Sequence, residues 1–441
     1  MTCMLMMQAH AAFALAIIRD VEEEMMVREI IDPILLVAGI GPQEVKIFLV
    51  NDKQVNAYVA GGMNIFIHTG LLVLKDDPEV LSGVMAHEIG HIAGGHINKT
   101  DSDLQGLSVE SALTYLLGIA AIAAGAPAAG QAIVMGGQHM LQRHVLKYSR
   151  SHEDAADQSA LTYLSQLNIS PRGLFFVLNY LSKDATQQFG QLDPYLQTHP
   201  LSRERVSHIQ HYMDMNQKQW KPMPEDFRRR YAMAIAKLKA YVQPAQQTLR
   251  EYPLADQSPK ALYARAIAYF KKPYFEKSMG EIDKLMKLDP KNPFYPELKG
   301  QILLENGRVE EALPFYEKAN TLVSHPLMKL EWAMALIAAQ DRNPEKISYL
   351  IAAGPLLEKV LLEEPENSLA WYQQGIAYGR RGMLGQSYMS FAEEAMLKNK
   401  TEQAQKYLVL ADKNLADGSP LRLRLADMKD VLKERSKKAK K

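Results

Sequence analysis

The chain has 441 residues, which is enough for two or more domains. Its 47% apolar and 23% charged residues are ordinary for a soluble globular protein, and its net charge of +1 gives no electrostatic case for a nucleic-acid partner, so we predict none. The single cysteine, Cys3, excludes an internal disulfide and does not identify the compartment.

The N-terminal segment is apolar but lacks the basic region of a signal peptide. Residues 2–18 contain no Lys or Arg, and the apolar run continues into a charged stretch with helical spacing. We therefore predict that residues 11–39 form the first helix. Short β-rich runs follow, and residues 63–69 alternate well enough to be a half-buried strand.

The segment 84–96 contains the pattern His-Glu-x-x-His. Residues i and i+4 of an α-helix lie on one face, so His87 and His91 can aim two imidazoles at one metal ion. Glu88 can reach a water molecule at that metal. Two nitrogen ligands, an open position and a carboxylate that takes a proton are typical of zinc hydrolases, although an ordinary helix with surface histidines gives the same pattern.

A catalytic zinc needs about three protein ligands, so a third ligand is expected downstream. The pattern H-E-x-x-H-x-x-G-x-x-H would place its last histidine at position 97, where this chain has Ile97. His96 would lie on the opposite side of a continued helix from His87. We therefore interpret His96 as a surface residue or as a residue behind the ligands.

Glu153 is the better candidate for the third ligand. It shares one face of a predicted helix, residues 139–166, with Asp157. A His-His-Glu set would be of the thermolysin type, and Asp157 could accept the second N–H of a ligand histidine. The alternative is a solvated acidic helix face, which the alanines at positions 155, 156 and 160 argue against.

Residues 111–138 contain no Asp, Glu, Lys or Arg. A run of this length is a candidate for a membrane span. Its Ala- and Gly-rich composition and its interruption at residues 125–127 favour two short helices instead, which pack over the active site and make peripheral contact with a membrane surface. A true membrane insertion stays open as the alternative.

The C-terminal half is repetitive. Pro259 and Pro293 are 34 residues apart, as are Ala266 and Gly300, and residues 371–378 follow the spacing W-x-x-x-G-x-x-Y. A period of 34 with helix pairs is typical of tetratricopeptide (TPR) repeats, and we predict about four units. Such arrays bind peptides or partner proteins on a concave surface, or they only stabilise the neighbouring domain.

The motif at 87–91, the later segment 149–157 and the upstream segment 56–62 occur in the order found in one family of zinc peptidases. The chain resembles that family, which includes the CAAX prenyl protease, HtpX and Oma1, and in particular its soluble branch with TPR repeats. The resemblance covers about residues 15–430. It implies a zinc-dependent endopeptidase of the gluzincin type, with one Zn²⁺ per chain held by His87, His91 and Glu153, and with Glu88 as the general base.

The resemblance also implies roles for the loop around residue 199 and for a strand. The family has a His and an Arg in this loop, so His199 and Arg205 become catalytic candidates. His199 either binds the zinc as a plug that switches the enzyme off, or donates a hydrogen bond to the oxyanion, or only precedes a helix. In zinc peptidases an edge strand pairs with the extended substrate, which makes Asn64, Ile65 and Phe66 candidates for substrate binding, unless this is an ordinary core strand.

The predicted fold is mainly α: an α+β peptidase domain with a small sheet at the active site (residues 1–212), a connecting helix or linker (213–254) and an all-α TPR solenoid (255–441). By resemblance, the substrates are polypeptides, namely misassembled outer-membrane proteins. The TPR surface would recruit the outer-membrane assembly machinery, and the compartment would be the periplasm.

Two other functions compete with this one. The chain could be an assembly factor or chaperone-like TPR protein in which proteolysis is rare or regulated. It could also be a membrane-embedded prenyl-type peptidase, which the absence of a span of 18 residues rich in Leu and Ile disfavours.

Overall fold

A computed structural model of the chain describes residues 17–96, 150–187, 199, 201–216 and 220–438. The chain divides into two compact units, Met1–Gln243 and Pro244–Lys441. The domain boundaries at residues 212 and 254 stay predictions. The predicted small-residue helices at 111–138 lie outside the described residues. Within the described part of the chain, no helix is long and apolar enough to cross a membrane.

The first unit combines a small sheet with seven described helices. In chain order they are β1 (Ile17–Ile18), α1 (Val21–Val37), a 3-10 turn (Pro42–Glu44), β2 (Lys46–Val50), β3 (Ala57–Ala60), β4 (Asn64–His68), α2 (Thr69–Leu72), α3 (Pro78–Ala93), α4 (Arg150–Gln166), α5 (Arg172–Gln187), α6 (Arg203–Met215) and α7 (Glu225–Val242).

The first helix begins later than the sequence predicted. Ile17 and Ile18 extend as β1 and pair antiparallel with the end of β2. The carboxylate of Asp20 then accepts hydrogen bonds from the backbone N–H groups of Glu22 and Glu23, which starts α1 at residue 21. The expected helix over 11–39 is therefore wrong at its start, because a cap and a sheet pairing override an apolar periodicity.

The sheet has the order β1-β2-β4-β3. Strand β4 pairs parallel with β2 on one side and antiparallel with β3 on the other, so Ile65 lies between Ile47 and Val59. The expectation that Asn64, Ile65 and Phe66 belong to an edge strand is therefore wrong, since both edges of β4 are already hydrogen-bonded. Their role in substrate binding stays a prediction. Among the described strands, β1 and β3 are the edges.

Helix α3 lies in the centre of the first unit, with every residue from Pro78 to Ile92 buried. Two glycines let neighbouring helices approach its backbone closely. A Cβ atom at Gly83 would overlap the backbone N of Leu174 in α5, and one at Gly90 would lie 2.9 Å from the carbonyl oxygen of Ala156 in α4. These contacts seat α4 directly against the His-Glu-x-x-His face of α3.

Helix α7 belongs to the core of the first unit. Phe227, Tyr231, Ile235 and Leu238 lie in the same hydrophobic cluster as the buried residues of α1 and α3. The sequence placed this helix in the connecting segment 213–254. In the structure, its buried face packs in the hydrophobic core of the first unit. At its polar edge, Lys237 is buried and its Nζ atom lies 2.7 Å from an Asp20 carboxylate oxygen.

The second unit contains a short helix followed by five helix pairs within residues 259–438. Their bounds are α8 (Ala245–Glu251), α9 (Pro259–Phe270), α10 (Phe275–Leu288), α11 (Phe294–Glu305), α12 (Val309–Leu322), α13 (Pro326–Arg342), α14 (Ser348–Glu363), α15 (Ser368–Arg380), α16 (Leu384–Leu397), α17 (Thr401–Asn414) and α18 (Leu421–Lys438).

Small residues face aromatic rings between the helices of a pair, as the repeat pattern predicts. Gly300 lies against the ring of Tyr316, and Gly375 lies against the ring of Phe391. The repeat is longer than 34 residues between the third and fourth pairs. The reason is the length of the third pair: α13 and α14 have 17 and 16 residues, whereas α11 and α12 have 12 and 14. The predicted mainly α fold, with an α+β domain followed by a helical repeat array, is confirmed.

Candidate metal centre

Helix α3 presents His87, Glu88 and His91 inside the first unit, and each has 0% of its surface exposed. One helical turn separates the two histidines, so their rings meet on one face. Their Nε2 atoms lie 3.1 Å apart. Two buried imidazole nitrogens at this separation can share one cation, and the surface-histidine alternative for this motif is wrong.

Helix α4 brings Glu153 to the same point. Its Oε2 atom lies 3.4 Å from His87 Nε2, and its Oε1 atom lies 3.3 Å from His91 Nε2. The side chain is completely buried, so the alternative of a solvated acidic face is also wrong. The neighbouring alanines are divided, since Ala156 and Ala160 are buried and Ala155 is exposed.

His199 contributes a fourth donor. Its Nδ1 atom lies 3.2 Å from Glu153 Oε1 and 3.4 Å from His87 Nε2. His87, His91, Glu153 and His199 are all buried, and their ligand atoms lie within 4.8 Å of one another. The reading of His199 as only a loop residue before a helix does not account for this position.

The donor spacing around His87 and Glu153 suits a zinc ion. A tetrahedron with ligands at about 2.0–2.1 Å from zinc has edges of about 3.3 Å. The donor separations of 3.1 to 3.4 Å around His87 and Glu153 match that edge length. Three imidazole nitrogens and one carboxylate are also ligand types that zinc prefers.

Asp157 and Arg205 support the ligands from behind. Asp157 Oδ1 lies 2.8 Å from His87 Nδ1, so the carboxylate accepts the N–H of that ring and leaves Nε2 for the metal. Arg205 from α6 donates to both oxygens of Asp157, at 2.7 and 2.9 Å, and its Nη1 atom lies 2.7 Å from Glu153 Oε2. One guanidinium therefore compensates two buried carboxylates.

In the part of the chain that the structure describes, Glu88, the acidic residue of the motif, has no comparable hydrogen-bond donor beside it. Neither of its carboxylate oxygens accepts a hydrogen bond from the described residues, and its Oε1 atom lies 3.4 Å from His199 Nε2. Burial raises the pKa of this carboxyl group. A buried oxygen pair of this kind is normally satisfied by water, and a metal site is a place where water is bound.

The pKa values of the proposed ligands are shifted in different directions. Burial disfavours the charged form of His87, but its hydrogen bonds to Asp157 and Glu153 outweigh burial and raise its pKa to about 10. Burial lowers the pKa of His91 to about 2. Burial would raise the pKa of Glu153, but hydrogen bonds from His199, His87 and His91 hold it well below its usual range. The cluster thus holds one ionised carboxylate ready to balance a cation.

Sequence reasoning allowed for a position of His96 behind the ligands but missed its contact with His152. His96 lies outside the donor group, but its Nδ1 atom lies 3.1 Å from Nδ1 of His91, and its ring stacks on His152 with centroids 4.4 Å apart. The only signal in the sequence was that His152 directly precedes Glu153 on α4. A spacing argument within α3 could not find a contact between two segments so far apart in the chain.

Comparisons with known proteins agree with this chemistry. Residues 22–213 match the model of Peptidase family M48. The chain is similar to the Beta-barrel assembly-enhancing protease of Escherichia coli (strain K12), with 24% identity over 382 residues that cover 84% of this chain and 75% of that protein. It is also similar to Metalloprotease LoiP of the same strain, with 30% identity over 177 residues that cover 39% of this chain and 63% of that one.

Among solved structures, one similar chain is YrrB, described as a TPR protein with an unusual peptide-binding site. The identity is 15%, the match covers 45% of this chain and 95% of that one, and the TM-score is 0.33.

Proposed function

From the premise that residues 22–213 belong to peptidase family M48 and that the chain is a zinc metalloendopeptidase, we propose a role for each residue of the cluster. His87, His91 and Glu153 hold the zinc, and Glu88 is the general base. The observation that carries this assignment is the buried set of four donors with the carboxylate of Glu88 beside it.

The reaction is hydrolysis of a peptide bond. Zinc, when bound in this set, supplies Lewis-acid activation of water and of the scissile carbonyl group. Glu88 takes a proton from the attacking water and passes it to the leaving amine. The raised pKa of Glu88 suits both steps, because a group of this kind can accept the proton and then release it. Asp157 keeps the proton of His87 on Nδ1 throughout.

His199 acts as a plug in this proposal. A catalytic zinc keeps one position open, whereas a zinc with four protein ligands is closed. Nδ1 of His199 lies among the donors, so an imidazole there takes the place that water needs. A donor to the oxyanion would have to stand back from the metal. Cleavage therefore requires that His199 leave the cluster.

Arg205 acts through the carboxylates and does not contact the reacting atoms. The resemblance suggested it as a catalytic residue, but its guanidinium engages Asp157 and Glu153. In our proposal Arg205 fixes Glu153 as a ligand and Asp157 as the acceptor for His87. This role explains why a cation is buried beside the proposed zinc.

The extended substrate pairs with β3. This strand contacts α3 and hydrogen-bonds to β4 on one side, and among the described residues it has no strand on the other side. A sheet edge without a partner strand can bind an extended peptide by main-chain hydrogen bonds. We therefore move the proposed substrate contact from residues 64–66 to the backbone of Ala57–Ala60.

The substrates are polypeptides, and the helical repeats of the second unit offer a surface for them or for a partner. We propose that they are outer-membrane proteins during assembly, that the repeats recruit the assembly machinery and that the chain works in the periplasm. This rests on the similarity to the Beta-barrel assembly-enhancing protease.

The closed donor set favours a second candidate function. If His199 blocks the zinc for most of the time, the chain is mainly an assembly factor with rare or regulated proteolysis. The Glu88→Gln variant separates the two: an assembly factor keeps its function in that variant, and a protease loses it.

The proposed function is tested on the wild-type chain purified without chelators. We expect one zinc per chain, and we expect slow cleavage of casein that 1,10-phenanthroline stops and added zinc restores. A chain without zinc, or cleavage that the chelator leaves unchanged, would contradict the proposal. A zinc-loaded chain that cleaves no casein but supports assembly would favour the second candidate.

A further inference from the structure

The end of α3 forms a Schellman motif that returns the chain to the metal centre. The backbone N–H of His96 donates to the carbonyl of His91 at 3.0 Å, and that of Gly95 donates to Ile92 at 3.1 Å. Gly95 has φ +63°, the left-handed conformation this motif requires. In the motif, the last residue packs back on the helix residue whose carbonyl it binds. Here these two residues are both histidines, His96 and His91.

His91 needs a hydrogen-bond acceptor on its far side. Its Nε2 atom faces His87 and Glu153, so it meets the metal through that nitrogen. A neutral imidazole that coordinates through Nε2 carries its proton on Nδ1, and that proton needs an acceptor. Nδ1 of His96 lies 3.1 Å from Nδ1 of His91. This nitrogen accepts the bond when His96 carries its own proton on Nε2.

Two contacts fix the ring of His96 in this position. It stacks on His152 with an interplanar angle of 11°, and His152 precedes the ligand Glu153 on α4. A Cβ atom at Gly94 would lie 2.5 Å from Nε2 of His96, so the glycine leaves room for the ring. The acceptor is therefore held by the C-terminal turn of α3 and by α4 together.

We infer that His96 is a positioning residue of the metal centre, which accepts the Nδ1–H of His91 as Asp157 accepts that of His87. The inference rests on the proposed zinc site. It assigns the two histidine ligands different supports, a carboxylate for His87 and a neutral imidazole for His91. A neutral acceptor strengthens the ligand less than a carboxylate does, so His91 is the weaker of the two.

The test is the zinc dissociation constant of the full chain, measured by competition with a chromophoric chelator. His96→Phe keeps a flat ring on His152 but removes the acceptor. His96→Asn keeps an acceptor oxygen at the place of Nδ1. Gly94→Ala leaves His96 in the chain but displaces its ring, since Gly94 has helical φ and tolerates alanine. His211→Phe, at an exposed histidine of α6, is the control.

We expect His96→Phe and Gly94→Ala to weaken zinc binding by about 10- to 100-fold, as is typical for loss of such a support. His96→Asn and His211→Phe should bind zinc like the wild type, and unfolding of the metal-free protein should be the same in all of them. Wild-type affinity in His96→Phe, or equal losses in His96→Phe and His96→Asn, would overturn the inference while leaving the zinc site intact. A wild-type chain without zinc would instead refute the proposed function.

Discussion

Gly90 of α3 and Ala156 of α4 touch backbone to backbone, since a Cβ atom at Gly90 would lie 2.9 Å from the carbonyl oxygen of Ala156. Gly90 lies between the two histidines of the motif, and Ala156 lies between Glu153 and Asp157. This contact therefore sets the distance between the two halves of the proposed zinc site.

Gly90→Ala should push α4 away from α3. We expect a loss of about 1–3 kcal/mol in the free energy of unfolding, because added volume in a packed contact is destabilising. Zinc affinity should also fall, because Glu153 moves with α4. Urea unfolding and a zinc titration measure both effects. Gly280→Ala is the control, since nothing lies within 4 Å of a Cβ at this exposed helical glycine; an equally stable Gly90→Ala protein would contradict the contact.

The cluster of half-buried Asp20 with buried Glu23 and Lys237 predicts two pH dependences of opposite sign. Burial would raise the pKa of Asp20, but the charge of Lys237 together with hydrogen bonds from Glu23 and Lys237 outweighs burial and lowers it to about 2 from 3.8. A lowered folded-state pKa gives stability above pH 3.8 that is lost as the pH falls through about 2. Asp20→Asn keeps the helix cap. It should cost about 2 kcal/mol at pH 7, a difference that disappears near pH 2.

Glu23 should give a pH dependence of stability opposite to that of Asp20. Burial and the neighbouring charge of Asp20 raise its pKa well above 4.5. A raised folded-state pKa gives stability that is complete below pH 4.5 and lost as the pH rises through the folded value. The free energy of unfolding of Glu23→Gln, relative to that of the wild type, should therefore increase as the pH rises from 4 to 8. Urea titrations at each pH measure this difference. A constant difference across that range would show that Glu23 does not hold its proton in the folded chain.

The second unit should fold without zinc, because each helix pair packs only on its neighbours. The segment before the first helix pair contributes to the stability of this unit. Arg265 is fully buried, is paired with Glu281, and donates to the carbonyl of Pro253 at 2.9 Å. A fragment of residues 244–441 should be helical in EDTA and more stable than residues 255–441 by about 1.5–3 kcal/mol, the usual contribution of a hydrogen bond to a charged group. Thermal melts followed by circular dichroism compare the stability of the two fragments. A disordered 244–441 fragment would contradict the prediction that the second unit folds on its own.

His199→Ala should raise proteolysis if His199 is a plug. Removing the imidazole opens the fourth position of the donor set, so casein cleavage and self-cleavage should both increase while zinc content stays at one per chain. If His199 instead stabilises the oxyanion, the same variant should be slower by about 10²–10³-fold. Reduced cleavage with full zinc would therefore exclude the plug. His208→Ala, on the exposed side of α6, is the control.

Much of the site is visible in the sequence because its parts are local. His87, Glu88 and His91 follow from a spacing of four on one helix, and Glu153 with Asp157 repeats that spacing on another. The position of β4 is different: alternation predicts a strand but not its neighbours, and the parallel pairing with β2 depends on the chain path. For the same reason the contact of His96 with His152 and the place of Arg205 on Glu153 required the structure.

The most direct test of the central claim is the Glu88→Gln variant, assayed for zinc and for casein cleavage in the same sample. Glutamine has the size of glutamate but cannot accept the proton, and Glu88 is not among the four donors. We predict one zinc per chain, as in the wild type, with cleavage reduced by about 10²–10⁴-fold, the usual contribution of a general base. Cleavage at the wild-type rate with full zinc would contradict the assignment of Glu88 as the base and the mechanism built on it.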